Sequence, residues 1–102
     1  MRVPIRLKDN FVYECGSVGI GLMKGAVGII EGNIISGSGG PGISISGSSV
    51  LRLNANQVTG ANAPGIAIVS GSKVLEMVNN ASDSNEGPRF VLRASSIASP
   101  KL

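Results

Sequence analysis

The stretch Gly42-Ile43-Ser44-Ile45 is the middle one of three related stretches in this chain of 102 residues. The same pattern, a glycine followed by alternating aliphatic residues, occurs earlier as Gly19-Ile20-Gly21-Leu22 and later as Gly65-Ile66-Ala67-Ile68. The copies are about 23 residues apart, a period typical of proteins that stack one structural unit per repeat. The chain is therefore predicted to form a solenoid rather than an ordinary globular domain.

The repeat extends well beyond these short stretches. An alignment of the first two copies without gaps pairs Val27 with Val50, Ile30 with Leu53, Asn33 with Asn56, Ile35 with Val58, Gly37 with Gly60 and Pro41 with Pro64. One extra residue near Val69 keeps the third copy in register. We therefore divide the single domain of residues 1–102 into coils at about residues 1–18, 19–41, 42–64, 65–88 and 89–102, of which the first and last are partial.

Each coil contains two alternating apolar patterns, such as Ile43/Ile45 and Leu51/Leu53 in the second coil, as half-buried strands require. Segments rich in Gly, Ser and Pro separate them and are predicted to be turns. The repeat contains no amphipathic helical stretch, and strands that return once per coil must run parallel. The prediction is an all-β parallel solenoid of about four coils, with about 23 residues per coil.

Stacked coils place equivalent residues in columns, roughly 4.8 Å apart. The predicted interior columns are Ile20-Ile43-Ile66-Phe90, Leu22-Ile45-Ile68-Leu92, Leu7-Ile30-Leu53-Met77 and Val12-Ile35-Val58. A further column, formed by Asn10, Asn33, Asn56 and Asn80, falls at a turn. A buried amide there can satisfy bent backbone and also bond to the asparagine of the next coil, so we predict an asparagine ladder.

With Gly-Ile-x-Ile motifs that are each followed by an asparagine at a turn, the sequence resembles the right-handed parallel β-helix repeat family over about residues 3–97. That family includes pectate-lyase-like polysaccharide enzymes and periplasmic copper-site accessory proteins. The same repeat also occurs in phage tailspikes, adhesins and substrate-binding modules. The resemblance implies the architecture and leaves the function open, because one fold hosts many functions.

The charged residues give little indication of catalysis. The chain has no histidine, and therefore lacks the usual general base near neutral pH and a conventional zinc cluster. The resemblance to pectate-lyase-like enzymes implies that catalysis would need calcium-binding carboxylates beside a basic residue. Here the repeat register stacks Lys8 beside Glu31 and Arg52 beside Glu76, as expected of ion pairs on an outer face. We expect no catalytic residue, no cofactor and no metal site.

Composition limits the partners. Aromatic residues make up only 3% of the chain, and the nine basic residues behind its net charge of +3 are scattered, so we expect no nucleic acid. The most apolar stretch, residues 18–30, contains a lysine and four glycines and is too short to span a membrane as a helix. Charges among the first nine residues argue against a secretory signal. The single Cys15, predicted to lie in a turn, leaves the compartment undecided.

The remaining candidate for function is an outward face that is flat and nearly uncharged. Its residues are Gly21, Ser44, Ala67, Met23 and Ser46. The face and the partial coils together predict a noncatalytic structural or binding segment, a fragment of a larger repeat protein that binds carbohydrate or protein. Open strand edges at the coil ends predict self-association. The alternatives are a remnant or subunit of a polysaccharide lyase or hydrolase, and an intracellular protein-recognition module.

Overall fold

The chain folds into short strands. The computed structural model describes residues 5–14, 16–23, 25–69, 71–83, 90–92 and 96–97. The strands within these ranges are β1 (Ile5–Lys8), β2 (Phe11–Tyr13), β3 (Ile20–Met23), β4 (Val27–Glu31), β5 (Ile34–Ser36), β6 (Ile43–Ser46), β7 (Ser49–Asn54), β8 (Gln57–Thr59), β9 (Ile66–Val69), β10 (Lys73–Val74), β11 (Met77–Val78), β12 (Ala81–Asp83), β13 (Phe90–Leu92) and β14 (Ser96–Ile97). All pairs between them are parallel, which confirms the all-β parallel solenoid.

The strands form three sheets that surround one core. The first sheet runs β1-β4-β7-β10-β14, with β11 also beside β7; the second runs β12-β8-β5-β2, and the third runs β13-β9-β6-β3. A complete coil visits all three sheets in turn. The solenoid therefore has about three complete turns, fewer than the four expected, because β1 and β2 at one end and β13 and β14 at the other belong to partial coils.

The sequence did not predict the second sheet, because each coil shows only two alternating apolar patterns. Its strands β5 and β8 have three residues each. So short a strand points a single side chain inward, and no alternation can be seen in it. Ile35 and Val58 are those inward residues, and both are completely buried.

The predicted interior columns are confirmed where the side chains are described. Ile43 aligns with Ile20 on one side and with Ile66 on the other. Ile30 and Leu53 are likewise aligned and have no exposed surface. The backbone of β13 continues two of the columns, since Phe90 aligns with Ile66 and Leu92 with Ile68. Aliphatic stacking of this kind contributes roughly 1.5–3 kcal/mol per buried side chain.

The alignment of Val27 with Val50 was wrong. In the structure Val27 aligns with Ser49 and Gly28 with Val50, and then the register shifts, so that Ile29 aligns with Arg52. The first coil has one residue more than the second in the turn before this strand and one fewer within it, so the two differences cancel in the sequence. The resulting bulge buries Val50 as well as Leu53, because an extra residue in one strand changes which side chains face inward.

The extra residue of the third coil lies where it was predicted. Ser46 aligns with Val69 at a separation of 23 residues, whereas Ser49 aligns with Lys73 at a separation of 24. The insertion therefore falls in the turn just after Val69. The strands on both sides keep their partners because a turn at the surface can absorb an added residue.

The repeated glycines before β3 and β6 of the third sheet, Gly19 and Gly42, are required by close packing. A Cβ on Gly42 would overlap Cγ1 of Val58 and would lie 2.9 Å from the carbonyl oxygen of Gly65. At Gly19 it would lie 2.6 Å from Cγ2 of Ile35. The chain therefore turns so tightly over the second sheet that only a residue without a side chain fits.

The asparagine ladder is present. Nδ2 of Asn33 donates to Oδ1 of Asn56 at 3.0 Å and to the carbonyl oxygen of Leu7 at 2.8 Å. The backbone N–H of Asn33 also donates to Oδ1 of Asn56, at 3.1 Å. Asn56 repeats the pattern toward Asn80, and Asn10 donates to Asn33. The residue before each asparagine has a positive φ that turns the chain at this corner: Asp9, Gly32, Ala55 and Asn79.

Replacement of Asn56 by alanine tests the ladder. The change removes two donated and two accepted hydrogen bonds and leaves the carbonyl of Ile30 and the N–H of Asn33 buried without this partner. We expect a loss of about 1–3 kcal/mol in the free energy of unfolding, measured by urea denaturation. Asn62→Ala is the matched control, because Asn62 is exposed and only its backbone N–H is hydrogen-bonded to a described residue, the carbonyl oxygen of Ser38. Equal stabilities of the two variants would contradict a structural role of the ladder.

A second prediction concerns the glycine column. Gly42→Ala forces a methyl group against Val58 and the backbone of Gly65, and should lower the unfolding free energy by about 3 kcal/mol. Gly16→Ala serves as the control, since a Cβ there meets no atom within 4 Å, and it should change stability by less than about 0.5 kcal/mol. Thermal unfolding followed by circular dichroism measures both. A Gly42→Ala protein as stable as the Gly16→Ala protein would show that the corner can open.

Candidate binding surfaces

The predicted binding face lies on the outer side of the third sheet. Met23 is 67% exposed and Gly21 is exposed, while Ser44 and Ser46 are half-buried. Ala67 is only 7% exposed and contributes little surface. The structure thus brings four of the five predicted residues to one uncharged face, formed by β3 and β6.

A second surface, on the outer side of the second sheet, is more apolar. Phe11 and Tyr13 on β2 are each 64% exposed, and Ile34 on β5, which aligns with Phe11, is 40% exposed. The two rings meet edge to face, with their centroids 5.3 Å apart and their planes at 88°. We call these three residues the aromatic patch. The sequence could have predicted this patch, because Phe11 and Ile34 are one repeat apart and each is next to an inward residue.

A third surface, on the outer side of the first sheet, is charged. A cavity of about 190 Å³ is lined by Arg6 and Lys8 on β1, Ile29 and Glu31 on β4, and Arg52 on β7. We call it the basic cleft. Sequence reasoning treated the basic residues as scattered, although positions 6, 29 and 52 recur at one repeat and therefore stack.

The two ion pairs expected on this sheet do not form. Lys8 aligns with Glu31, as predicted, but no ion pair joins them in the part of the chain that the structure describes. Glu76 accepts a hydrogen bond from Nδ2 of Asn54 at 2.5 Å instead of pairing with Arg52. Asn54 lies two residues beyond Arg52 on β7 and aligns with Val78, so its side chain reaches back along the strand to Glu76.

A hollow of about 390 Å³ opens at the β1 end of the solenoid. Its walls include Leu7, Val12 and Ile20, which in later coils would be covered by a preceding coil, together with Asn10 and Gly19. The interior of the stack is therefore accessible at this end. Such a surface suits a further coil or a second molecule of the same shape.

Metal chemistry and membrane insertion find no candidates within the described ranges. No three side chains of His, Cys, Asp or Glu come together there in a metal-binding arrangement. Cys15, whose turn position was predicted, lies outside the described residues. No helix long and apolar enough to cross a bilayer occurs in the same part of the chain.

The repeat architecture agrees with a known family. A family model described as right handed beta helix region matches residues 4–99. The chain belongs to the right-handed β-helix family. No curated protein and no solved structure matches it. The family therefore accounts for the stacked coils of this β-helix.

Proposed function

We propose that this β-helix is a noncatalytic binding segment that recognises carbohydrate or protein through the aromatic patch. The observation that carries the proposal is the exposure of Phe11 and Tyr13, each 64%, beside Ile34 at 40%. Large apolar side chains that share one face and remain open to solvent are typical of interaction sites. Tyrosine in particular is enriched among the residues that dominate binding energy at interfaces.

The chemistry of the patch favours a ligand with an apolar surface. An aromatic ring offers one face to an apolar group or to the C–H side of a sugar, and a neighbouring edge-to-face ring limits the approach to one direction. The flat face of the third sheet is the competing location, since Met23 is exposed to a similar degree. The inward residues of β3, Ile20 and Leu22, are buried, whereas Val12, the inward residue of β2, is only partly buried.

Binding is tested with variants that remove equivalent apolar surface at the two locations. Phe11→Thr with Tyr13→Thr should lower affinity at least about tenfold, because interface hot spots contribute about 2 kcal/mol or more. Met23→Thr, the matched control on the third sheet, should bind like the unaltered protein. The probes are neutral β-glucan, pectin and alginate in affinity electrophoresis, and cytosolic and secreted protein fractions in pull-downs. Loss of binding in Met23→Thr alone would place the ligand on the flat face instead.

The enzymatic alternative is separable in the same polysaccharide panel. A lyase or hydrolase would shorten pectin or alginate, with or without calcium, and would lose that activity in Glu31→Gln or Glu76→Gln. We expect no reproducible cleavage. A pull-down partner found only in cytosol would support the intracellular recognition module.

We also propose that the protein self-associates through its coil ends, with hydrogen bonds between the asparagines at the two ends of the ladder. Oδ1 of Asn10 accepts no hydrogen bond from any residue that the structure describes, whereas each later ladder oxygen accepts two from the preceding asparagine. At the other end of the ladder, the backbone N–H of Asn80 and its second Nδ2 proton donate to no described residue. A second copy stacked head to tail therefore matches donors to the acceptor, and such a contact repeats into filaments.

A charge placed inside the hollow should block this stacking. Val12→Lys puts an ammonium group at the open edge, a device by which natural edge strands avoid pairing. We expect sedimentation velocity to show concentration-dependent association of the unaltered protein and a monomer for Val12→Lys. Gln57→Lys, on the outer side of the same sheet, is the control and should associate normally. A stable monomer of the unaltered protein at high concentration, with a folded β spectrum, would contradict end-to-end pairing.

A further inference from the structure

We propose that the basic cleft binds a phosphate or sulfate ester, with the oxyanion held by Arg6, Lys8 and Arg52 and the carbon portion of the ester resting on Ile29. This site lies on the first sheet and is independent of the aromatic patch on the second. The proposed function can therefore fail without affecting it, and the reverse also holds.

The register places the basic side chains around one point. Arg6 aligns with Ile29 across β1 and β4, and Ile29 aligns with Arg52 across β4 and β7. With strands roughly 4.8 Å apart, the two arginines stand on either side of Ile29, close enough for their long side chains to reach a common ligand. Lys8 is two residues further along β1 and projects from the same side of the sheet.

The basic side chains of the cleft are unpaired within the described part of the chain. Neither Arg6, Lys8 nor Arg52 forms an ion pair or a side-chain hydrogen bond with any residue that the structure describes. Glu31 is the single acid among the residues that line the cavity, so three positive charges face one negative charge. A concave surface with an excess of one sign concentrates the field there and attracts ligands of the opposite sign.

The residue types favour a tetrahedral oxyanion that carries an organic group. Guanidinium groups present planar pairs of donors that match phosphate and sulfate oxygens, and two of them flank the centre of the cleft. Ile29 is half-buried between them and offers an apolar contact that an inorganic ion cannot use. Glu31 opposes any anion, so the attraction exists only because its three neighbours outweigh it.

The experiment titrates isotope-labelled protein by NMR at low ionic strength. The probes are inorganic phosphate, glucose 6-phosphate and dextran sulfate, with glucose and unsulfated dextran as neutral controls. We expect saturable shifts of the backbone amides of Arg6, Ile29 and Arg52 with the charged probes only. Glucose 6-phosphate should bind more tightly than inorganic phosphate, and added salt should weaken all binding because it screens the charges. A stronger response to dextran sulfate than to glucose 6-phosphate would assign the ester to a sulfated polymer.

Charge variants locate the site. Arg52→Gln should weaken glucose 6-phosphate binding about tenfold, which corresponds to about 1.4 kcal/mol. Glu31→Gln should strengthen it about threefold by removing the opposing charge, a gain that no general loss of structure can imitate. Lys73→Gln is the matched control, since Lys73 is exposed on β10 of the same sheet and does not line the cleft.

Three results would overturn the proposal. Equal weakening by Arg52→Gln and Lys73→Gln would show attraction to net charge alone. Weaker binding in Glu31→Gln would show that the cleft does not act as an anion site. Equal affinities for inorganic phosphate and glucose 6-phosphate would remove the role of Ile29 and with it the ester. Because Arg52 and Lys73 are exposed and Glu31 is only half-buried, each variant should keep the β spectrum of the unaltered protein.

Discussion

The corner of each coil depends on one hydrogen bond. In it, the side-chain Nδ2 of one asparagine donates to the side-chain Oδ1 of the asparagine in the next coil. It runs from Asn33 to Asn56 at 3.0 Å and from Asn56 to Asn80 at 2.9 Å. The chain bends at this corner, so its backbone groups cannot all be paired by the ladders of the neighbouring strands. The asparagine side chain supplies both a donor and an acceptor there. It can bond to the next coil only if that coil has an asparagine at the equivalent position.

This requirement explains which differences between coils are tolerated. An added residue after Val69 and a bulge within β7 both change the local spacing, yet Asn33, Asn56 and Asn80 remain in contact. Extra residues at a surface turn cost little, because turns are solvated. A shift of the ladder position would leave buried polar groups unpaired, at a cost of about 1–3 kcal/mol for each. The position of the asparagine is therefore constant from coil to coil, whereas the length of the surface turn varies.

The outward residues carry no comparable constraint, and each sheet presents a different chemistry. The third sheet has an uncharged face, the second exposes Phe11 and Tyr13, and the first gathers Arg6, Lys8 and Arg52. Since inward residues hold the backbone, outward residues can vary without loss of the fold. A solenoid of this kind can therefore present surfaces of different chemistry side by side on one stack of coils.

The sequence by itself determined the parallel coils, the interior columns and the asparagine ladder, because these features repeat and a period is visible without coordinates. It did not reveal β5 and β8 as strands of a separate sheet, since three residues are too few to show alternation. It also missed the bulge, because the extra residue in β7 is cancelled by a shorter turn and the total remains one period. The two surfaces proposed for binding were decided only by the tertiary structure. Phe11 lies far from Ile34 in the chain, and Arg6 lies far from Arg52, until coil stacking brings them to adjacent strands or to the two sides of one strand.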